Sequence, residues 1–354
     1  MTRVRSRGED IRRYILEHVE KHPNEISRVT AEKFAITRQA VNKHLQRLTE
    51  ENALTETGKT RSRAYKLCPL LEWRQTYKIT PELAEDVVWT NDVRLVLGQL
   101  PDNAMNIWHY GFTEMFNNAI DHSGSPEIFV RIRKTAADTE MLVMDEGVGI
   151  FKKIQMALGL LDERHAIFEL HKGKLTTDPK NHTGEGIFFT SRMFDSFDIL
   201  SGGVFFTHEF GKPEDWIFER DRFSIGTTVW MKIYNHTART AKKIFDQFST
   251  GDEYGFNKTV VPVQLAKYGN DRLISRSQAK RLLARVELFK KVLFDFTGID
   301  TIGQAFTDEI FRVFARQHPE IELMPIHANS QVKRMIERAR GGSPPGRQQH
   351  PPPS

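Results

Sequence analysis

The stretch FTEMFNNAIDHS, residues 112–123, decides the fold prediction for this sequence. Glu114, Asn118 and Asp121 are spaced i, i+4 and i+7, so all three polar side chains lie on one face of a predicted helix. An amphipathic helix usually presents an apolar stripe to the core at such positions. A carboxylate, an amide and a second carboxylate on this face therefore indicate a binding site.

Two glycine-rich turns follow, MDEGVGI at 144–150 and TGEGIFFTS at 183–191, and each adjoins an apolar run. Alternating apolar residues predict several strands in this part of the chain, and a helix is predicted to begin near Gly186. Residues 91–235 are thus predicted to form an α/β sandwich, a layer of helices on a mixed sheet. Neither turn has the GxGxxG spacing of a dinucleotide site or the GxxxxGK[ST] pattern of a P-loop.

Four short motifs in this order resemble the GHKL ATPase superfamily, which includes gyrase, heat-shock chaperones, histidine kinases, MutL proteins and anti-sigma-factor serine kinases. The motifs are Glu114-x-x-x-Asn118, Asp145-x-Gly147-x-Gly149, Gly184-x-Gly186 and Gly226-Thr227-Thr228. The resemblance implies a Bergerat-type ATP-binding fold over residues 91–237, with ATP and Mg²⁺ as cofactors. The alternative is a set of glycine turns at strand ends, which does not explain the polar helix face.

The resemblance also implies a role for each motif residue. Asn118 would hold Mg²⁺ through its side-chain oxygen, which suits a cation that prefers oxygen ligands and keeps several waters. Glu114, one helical turn earlier, would act as the general base that activates water at the γ-phosphate. Asp145 would accept a hydrogen bond from the adenine amino group. The other nucleotide-binding positions are Gly147, Gly149, Gly184, Glu185, Gly186, Thr227, Thr228 and Asp121, and for Asp121 a purely structural role stays open.

Residues 151–182, between the two glycine turns, are predicted to form a mobile lid over the nucleotide. Three lysines in this segment, Lys172, Lys174 and Lys180, either contact phosphate or are simply solvated.

Residues 1–68 are predicted to form short helices followed by a hairpin, and they resemble a winged helix-turn-helix. Thr37 is the expected N-cap of a recognition helix over residues 37–49. The DNA-binding side chains are predicted to be Thr37, Arg38, Gln39, Asn42 and Lys43 on this helix and Arg61 and Arg63 on the hairpin. The pattern favours double-stranded DNA as a partner, because such side chains pair with base edges and phosphates. A helical protein-docking domain with a solvated polar face is the alternative.

Residues 69–90 are predicted to be a linker helix with some extended chain and a break at Pro81, and residues 255–340 alternate between strands and helices. This last pattern, with FDFTGIDTIGQAF at 294–306, resembles a STAS-like domain. Antagonists with this fold carry a phosphorylatable serine after a similar turn, whereas this chain has Gln304 and Ala305 there. We therefore expect a docking role for this domain, and the Pro- and Gly-rich tail at 341–354 is expected to be disordered.

The whole composition is consistent with a cytoplasmic regulator. The chain has 354 residues, a net charge of +5 and a single cysteine, so no internal disulfide is expected. No apolar run is long enough to cross a bilayer, and no signal peptide or membrane partner is predicted.

The sequence predicts an α/β multidomain protein whose Mg·ATP site switches DNA or partner binding, with weak ATPase activity. The alternative is an anti-sigma-type protein Ser/Thr kinase that acts on a partner or on itself. A homodimer is left open.

Overall fold

The computed structural model describes residues 3–58, 62–175, 184–212, 216–250, 253–267 and 272–341. The chain is mixed α/β and divides into two compact units. The first unit consists of Met1–Ala166 and Gly186–Ile244, and the second of Ile167–Glu185 and Phe245–Ser354. Part of the predicted lid and part of the second glycine turn therefore belong to the C-terminal unit.

The first unit begins with three helices and a hairpin that share one apolar core. These elements are α1 (Arg3–His18), α2 (Ile26–Phe34), α3 (Arg38–Glu50), β1 (Leu54–Thr57) and β2 (Ala64–Leu67). Ile15 of α1 and Leu45 of α3 are fully buried in this core. Ala35 adopts the left-handed conformation between α2 and α3, and the Thr37 hydroxyl accepts the Ala40 N–H at 3.2 Å. The predicted helices, N-cap and hairpin are confirmed.

The linker predicted over residues 69–90, a helix with some extended chain, is extended in its first half. Leu71–Lys78 forms a strand, β3, which pairs antiparallel with β4 (Glu127–Lys134). Its mixed polarity reflects an edge strand, because Trp73 is half-buried while Glu72 is exposed. Helix is confined to the second half, in α4 (Glu85–Val88), a π-helical turn (Trp89–Val93) and α5 (Arg94–Leu97).

A five-stranded sheet with the order β3-β4-β5-β7-β6 organises the rest of the first unit. Its further strands are β5 (Asp138–Asp145), β6 (Ser196–Glu209) and β7 (Trp216–Tyr234). The sequence predicts a mixed sheet, but every neighbouring pair in it is antiparallel. The reason is that β4 and β5, and likewise β6 and β7, follow each other along the chain as paired neighbours.

The helices α6 (Asp102–His122), α7 (Ile150–Leu158) and α9 (Gly186–Met193) belong to the same unit as this sheet. Helix α8 (Glu163–Lys172) begins in the first unit and ends in the second. Trp108, Phe112 and Phe116 of α6 are fully buried, and α6 contacts β4, β5, β7 and α9. This long helix is the one predicted to carry Glu114, Asn118 and Asp121, and its apolar residues fix the opposite, polar side in place.

The second unit contains a parallel three-stranded sheet with the order β10-β11-β12. Following α10 (Ala241–Phe248) and the short pair β8 (Ser249–Thr250) and β9 (Glu253–Phe256), the elements are β10 (Lys258–Pro262), α11 (Arg276–Leu283), β11 (Lys291–Asp295), α12 (Gln304–Asp308), α13 (Ala315–Gln317), β12 (Glu322–Ile326) and α14 (Ser330–Gly341). A π-helical turn joins α12 to α13, so residues 304–317 form one helical run. Ser275 caps α11 in a capping box with Gln278. The alternating order matches the prediction. The sequence TVVPVQLA predicts a strand over residues 259–266, but β10 ends at Pro262 and a short 3₁₀ segment, Val263–Ala266, follows. The tail beyond Gly341 lies outside the described residues.

Candidate functional site

Asp145 ends β5 at the centre of the candidate site. The residue is 6% exposed, and its Oδ1 accepts the N–H groups of Gly147 at 2.9 Å and Thr227 at 3.3 Å. Burial raises the pKa of this carboxyl, and the hydrogen bonds from Gly147 and Thr227 offset only part of that effect. Asp145 is therefore a buried carboxyl group at a backbone turn.

The glycines around Asp145 allow backbone segments to approach one another more closely than any side chain would permit. A Cβ at Gly147 would lie 2.0 Å from the Ser123 carbonyl oxygen, just beyond α6, and one at Gly226 would lie 2.0 Å from the Asp145 carbonyl oxygen. Gly149 has φ +89°, which favours glycine. The predicted glycines thus hold the turn tightly against both α6 and β7.

The strand register separates the two predicted threonines. Thr227 lies directly opposite Asp145, and Thr228 lies opposite Met144. Because successive side chains along a strand point to opposite faces, Thr227 shares the face of Asp145 and Thr228 does not. The Thr227 hydroxyl also accepts the N–H of Ile150, the first residue of α7, at 3.0 Å.

Ser201 on β6 is a site residue that the sequence did not reveal. It pairs with Thr227 across the β6–β7 ladder, and its side chain is fully buried at 0% exposure. Its hydroxyl has no hydrogen-bond partner among the described residues, and it would lie 2.7 Å from a Cβ at Gly149. The surrounding SGG sequence is typical of a turn, so no motif pointed to it.

Glu114 on α6 lies against the first residue of α9. A Cβ at Gly186 would be only 1.9 Å from Glu114 Oε2, so the carboxylate fills the space that a side chain would take. An anion at the N-terminal end of a helix is electrostatically favourable. Glu114 and Asn118 are half-buried, whereas Asp121 is exposed. The predicted polar face therefore exists, and its first member touches the second glycine motif.

The other two residues of that motif belong to the second unit. Gly184 has φ +71°, and its carbonyl oxygen accepts the Leu175 N–H at 2.9 Å. Burial raises the pKa of the half-buried Glu185, and the nearby Lys174 lowers it in part.

Two of the predicted lid lysines are bound by protein groups. Lys172 is 1% exposed and forms an ion pair with Glu169 at 2.9 Å. The Lys174 ammonium donates to the Leu288 carbonyl oxygen at 3.0 Å. Both ammonium groups are thus held by groups of the protein itself, which matches neither of the roles predicted for these lysines, phosphate contact or simple solvation. Lys180 lies outside the described residues.

The predicted outward face of α3 is exposed. Arg38, Gln39, Asn42 and Lys43 all lie on the surface beside the Thr37 cap. Within the part of the chain that the structure describes, Arg38 and Lys43 form no ion pair. By contrast, Arg63 on the hairpin pairs with Glu56 at 3.1 Å. Arg61 lies outside the described residues.

Neither a metal cluster nor a membrane span occurs among the described residues. No group of three or more His, Cys, Asp or Glu side chains in these ranges is placed to hold a metal ion. None of the described helices is both long and apolar enough to span a membrane.

Comparison with known proteins identifies one region of the chain. A family model described as a STAS-like domain of unknown function (DUF4325) matches residues 278–333, which include β11 and β12. No curated protein matches the sequence. The chain therefore carries a STAS-like domain in its C-terminal unit.

Proposed function

We propose that this protein is a regulator that binds Mg·ATP at the Asp145 site and duplex DNA through α3, and that its STAS-like domain docks a protein partner. The observation that carries the proposal is the buried Asp145 carboxyl, held by Gly147 and Thr227 and enclosed by glycine backbone. The GHKL and winged helix-turn-helix assignments belong to this proposal.

The residues around Asp145 suit an adenine ring. Burying a carboxylate is costly unless it accepts hydrogen bonds, and a carboxylate has room for more acceptor contacts than the two that Oδ1 makes. The amino group of adenine is such a donor. Glycine at positions 147, 149 and 226 lets neighbouring protein atoms pack directly against this turn, which fixes the carboxyl group in place.

The polar face of α6 suits the phosphate end. Asn118 offers a single oxygen ligand, which is sufficient for Mg²⁺ when water and phosphate complete its coordination. ATP would supply a transferable γ-phosphoryl group there. The Glu114 carboxylate, held beside Gly186, would orient a water molecule and accept its proton. The structural alternative is that Glu114 only stabilises the N-terminus of α9.

The nucleotide proposal is tested by titrating the full chain with a non-hydrolysable ATP analogue and Mg²⁺. Glu114→Gln should abolish ATP turnover and keep nucleotide binding, because it removes the base but keeps the shape. Asn118→Ala should remove the Mg²⁺ dependence of binding. Asn106→Ala, which removes an exposed asparagine from the same helix, serves as the matched control. If the unmodified chain shows no binding, the proposal fails.

The DNA proposal rests on the exposed cations of α3. Its inward side is fixed by the buried Val41, Leu45 and Leu48, which leaves Arg38 and Lys43 exposed on the outside. Arg38→Ala should weaken duplex binding and reduce the slope of log K against log salt by about 1, as expected for one lost phosphate contact. Arg47→Ala is the matched control, since Arg47 is already paired with Glu51 at 2.7 Å. Binding that does not depend on salt would favour a protein-docking role.

The switch requires that nucleotide binds two states of the protein with different affinity. DNA binding should therefore be compared with ADP, with the ATP analogue and without nucleotide. Three indistinguishable isotherms would rule out the coupling.

A second candidate is an anti-sigma-type protein Ser/Thr kinase acting on a partner or on itself. The presence of a STAS-like domain on the same chain favours it, because this type of domain commonly mediates protein interactions. Transfer of label from γ-labelled ATP to protein would support the kinase. Release of the label only as free phosphate would support the ATPase.

A further inference from the structure

The segment that precedes the second glycine turn is anchored inside the C-terminal unit by a buried lysine. The Lys172 ammonium pairs with Glu169 Oε1 at 2.9 Å. It also donates to the carbonyl oxygens of Arg281 at 3.2 Å and Ala284 at 2.5 Å, which lie at the C-terminal end of α11. Cations are favoured at this end of a helix, where carbonyl groups lack intrahelical partners.

Further contacts fix the neighbouring backbone. The Thr259 hydroxyl on β10, itself fully buried, donates to the Lys172 carbonyl oxygen at 2.7 Å. The Arg285 guanidinium donates to the Lys174 carbonyl oxygen. The Lys174 ammonium lies 5.0 Å from the centre of the Phe289 ring. Residues 167–175, here called the strap, are therefore held within the C-terminal unit by contacts of both their side chains and their backbone carbonyl groups.

The strap is connected to the glycine turn by a short path. Leu175, its last residue, donates its N–H to the Gly184 carbonyl oxygen at 2.9 Å. A Cβ at Gly184 would lie 2.3 Å from the Leu175 carbonyl carbon, so the two backbones are in direct contact. Glu185 then joins Gly184 to Gly186 through consecutive peptide bonds. This path bypasses residues 176–183.

We infer that the strap is a regulatory connection through which the C-terminal unit sets the conformation of residues 184–186, and so the affinity of the nucleotide site. The nucleotide part of this inference rests on the proposed function, whereas the mechanical connection does not. Removing the Lys172 ammonium would leave Glu169 only its longer contact with Arg285 at 3.8 Å, and it would leave the Arg281 and Ala284 carbonyl oxygens without this donor. The strap should therefore loosen when this one side chain is lost. A protein bound to the STAS-like domain could then act on nucleotide binding without touching the nucleotide.

Lys172→Met in the full chain tests the inference, because methionine keeps the apolar stem and removes the ammonium. Hydrogen exchange should accelerate about ten-fold or more both in the strap and in residues 184–193, because losing a buried ion-pair partner destabilises the anchor. Affinity for the ATP analogue should fall about three- to ten-fold, since a disordered segment must be ordered on binding. Thr259→Val removes one anchoring contact with little change of shape and should show smaller shifts of the same sign. Lys152→Met is the control, because Lys152 is exposed and its hydrogen bond is to the nearby Gln155.

The outcomes separate the two proposals. Faster exchange in the strap with unchanged exchange in residues 184–193 would overturn the inference, as would an affinity equal to that of Lys152→Met. If the unmodified chain binds no nucleotide, the proposed function fails, and the exchange comparison still decides the connection. If Lys172→Met does not fold, Thr259→Val provides the same comparison.

Discussion

Two strands of this protein end in the same local structure, one in each unit. Asp145 ends β5 and Asp295 ends β11, and they are 6% and 8% exposed. In both turns, Oδ1 accepts the N–H of the second residue onward at 2.9 Å, from Gly147 and Thr297 respectively. This is the turn that aspartate commonly forms with its own backbone. By itself, then, a buried aspartate at the end of a strand is a structural feature.

The two aspartates differ in what surrounds them. Asp295 Oδ1 also accepts the Thr297 hydroxyl at 2.7 Å and pairs with His327 Nδ1 at 2.9 Å, so side chains of its own unit satisfy it. Oδ1 of Asp145 has one further backbone donor, Thr227, whose side chain also hydrogen-bonds to the carboxyl group, and glycine backbone encloses the turn. Burial raises the pKa of Asp145. Asp295 is thus held largely by side chains and Asp145 Oδ1 by two backbone N–H groups, and the nucleotide proposal predicts that only Asp145 binds a ligand.

The largest effect should come from placing a side chain in the backbone contact between Gly226 and Asp145. Gly226→Ala would place a Cβ 2.0 Å from the Asp145 carbonyl oxygen, at φ +70°. We expect a loss of about 3 kcal/mol or more in the stability of the first unit, because backbone cannot yield as a side-chain end can. Urea unfolding measures this loss of stability, and hydrogen exchange in β5 and β7 shows where it occurs.

Gly124→Ala is the matched control, because Gly124 has φ +67° and its new Cβ would project into open space. Its cost should be only the backbone strain, about 1 kcal/mol. Equal losses for the two variants would show that the backbone contact at Asp145 contributes nothing beyond the conformation of glycine.

The next largest effects come from removing the carboxylate at Asp295 and, separately, at Asp145. Asp295→Ala removes the acceptor of three donor groups and should cost about 2–3 kcal/mol in the second unit, with nucleotide affinity unchanged. Asp145→Asn should leave stability unchanged or slightly higher, because it removes a buried charge. It should lower nucleotide affinity about ten- to hundred-fold, because the amide replaces an acceptor with a donor.

Calorimetric titration with the ATP analogue, alongside unfolding of both variants, measures the two effects. A nucleotide affinity that falls equally in both variants would erase the proposed distinction between the two turns.

The sequence predicted the elements whose signals are local. The 21-residue α6 and the N-cap at Thr37 follow from helical periodicity and a short-range hydrogen bond, and both were found. The full extent of β3 is not predictable from the segment alone, because an edge strand such as LEWRQTYK gains its hydrogen bonds from β4, 49 to 63 residues later in the chain. The pairing, and not the propensity of the segment, decides its structure.

The local structure of the candidate site was predictable to a similar extent. The spacing of Glu114 and Asn118 marks a polar helix face, and the glycines mark the turns. The buried ammonium of Lys172 was not predictable, because the carbonyl oxygens that it contacts, those of Arg281 and Ala284, are 109 and 112 residues away in the chain. Burial and long-range hydrogen bonding of this kind leave no periodic pattern in the chain.

The pH dependence of stability should separate Asp145 from its amide. The pKa of Asp145 is raised above 3.8 in the folded state. At pH values between 3.8 and the folded-state pKa, the folded protein therefore binds more protons than the unfolded chain. The penalty of the charged carboxylate is fully present above the folded pKa and disappears as the pH falls towards 3.8. Asp145→Asn should therefore gain most over the unmodified protein near neutral pH, and the gain should shrink on acidification. Urea midpoints across this range test it, and a gain that grows in acid would contradict it.

The smallest effect compares the threonines that accompany the two aspartates. Thr227→Val removes the hydroxyl that accepts the Ile150 N–H, and Thr297→Val removes a donor to Asp295. Each should cost about 1 kcal/mol, the usual net value of one hydrogen bond. Only Thr227→Val should also weaken nucleotide binding, because Thr227 shares the face of Asp145 and holds the start of α7. Thr228→Val, on the opposite face of β7, is the control; if it weakens binding as much as Thr227→Val, then the strand register does not determine which threonine serves the site.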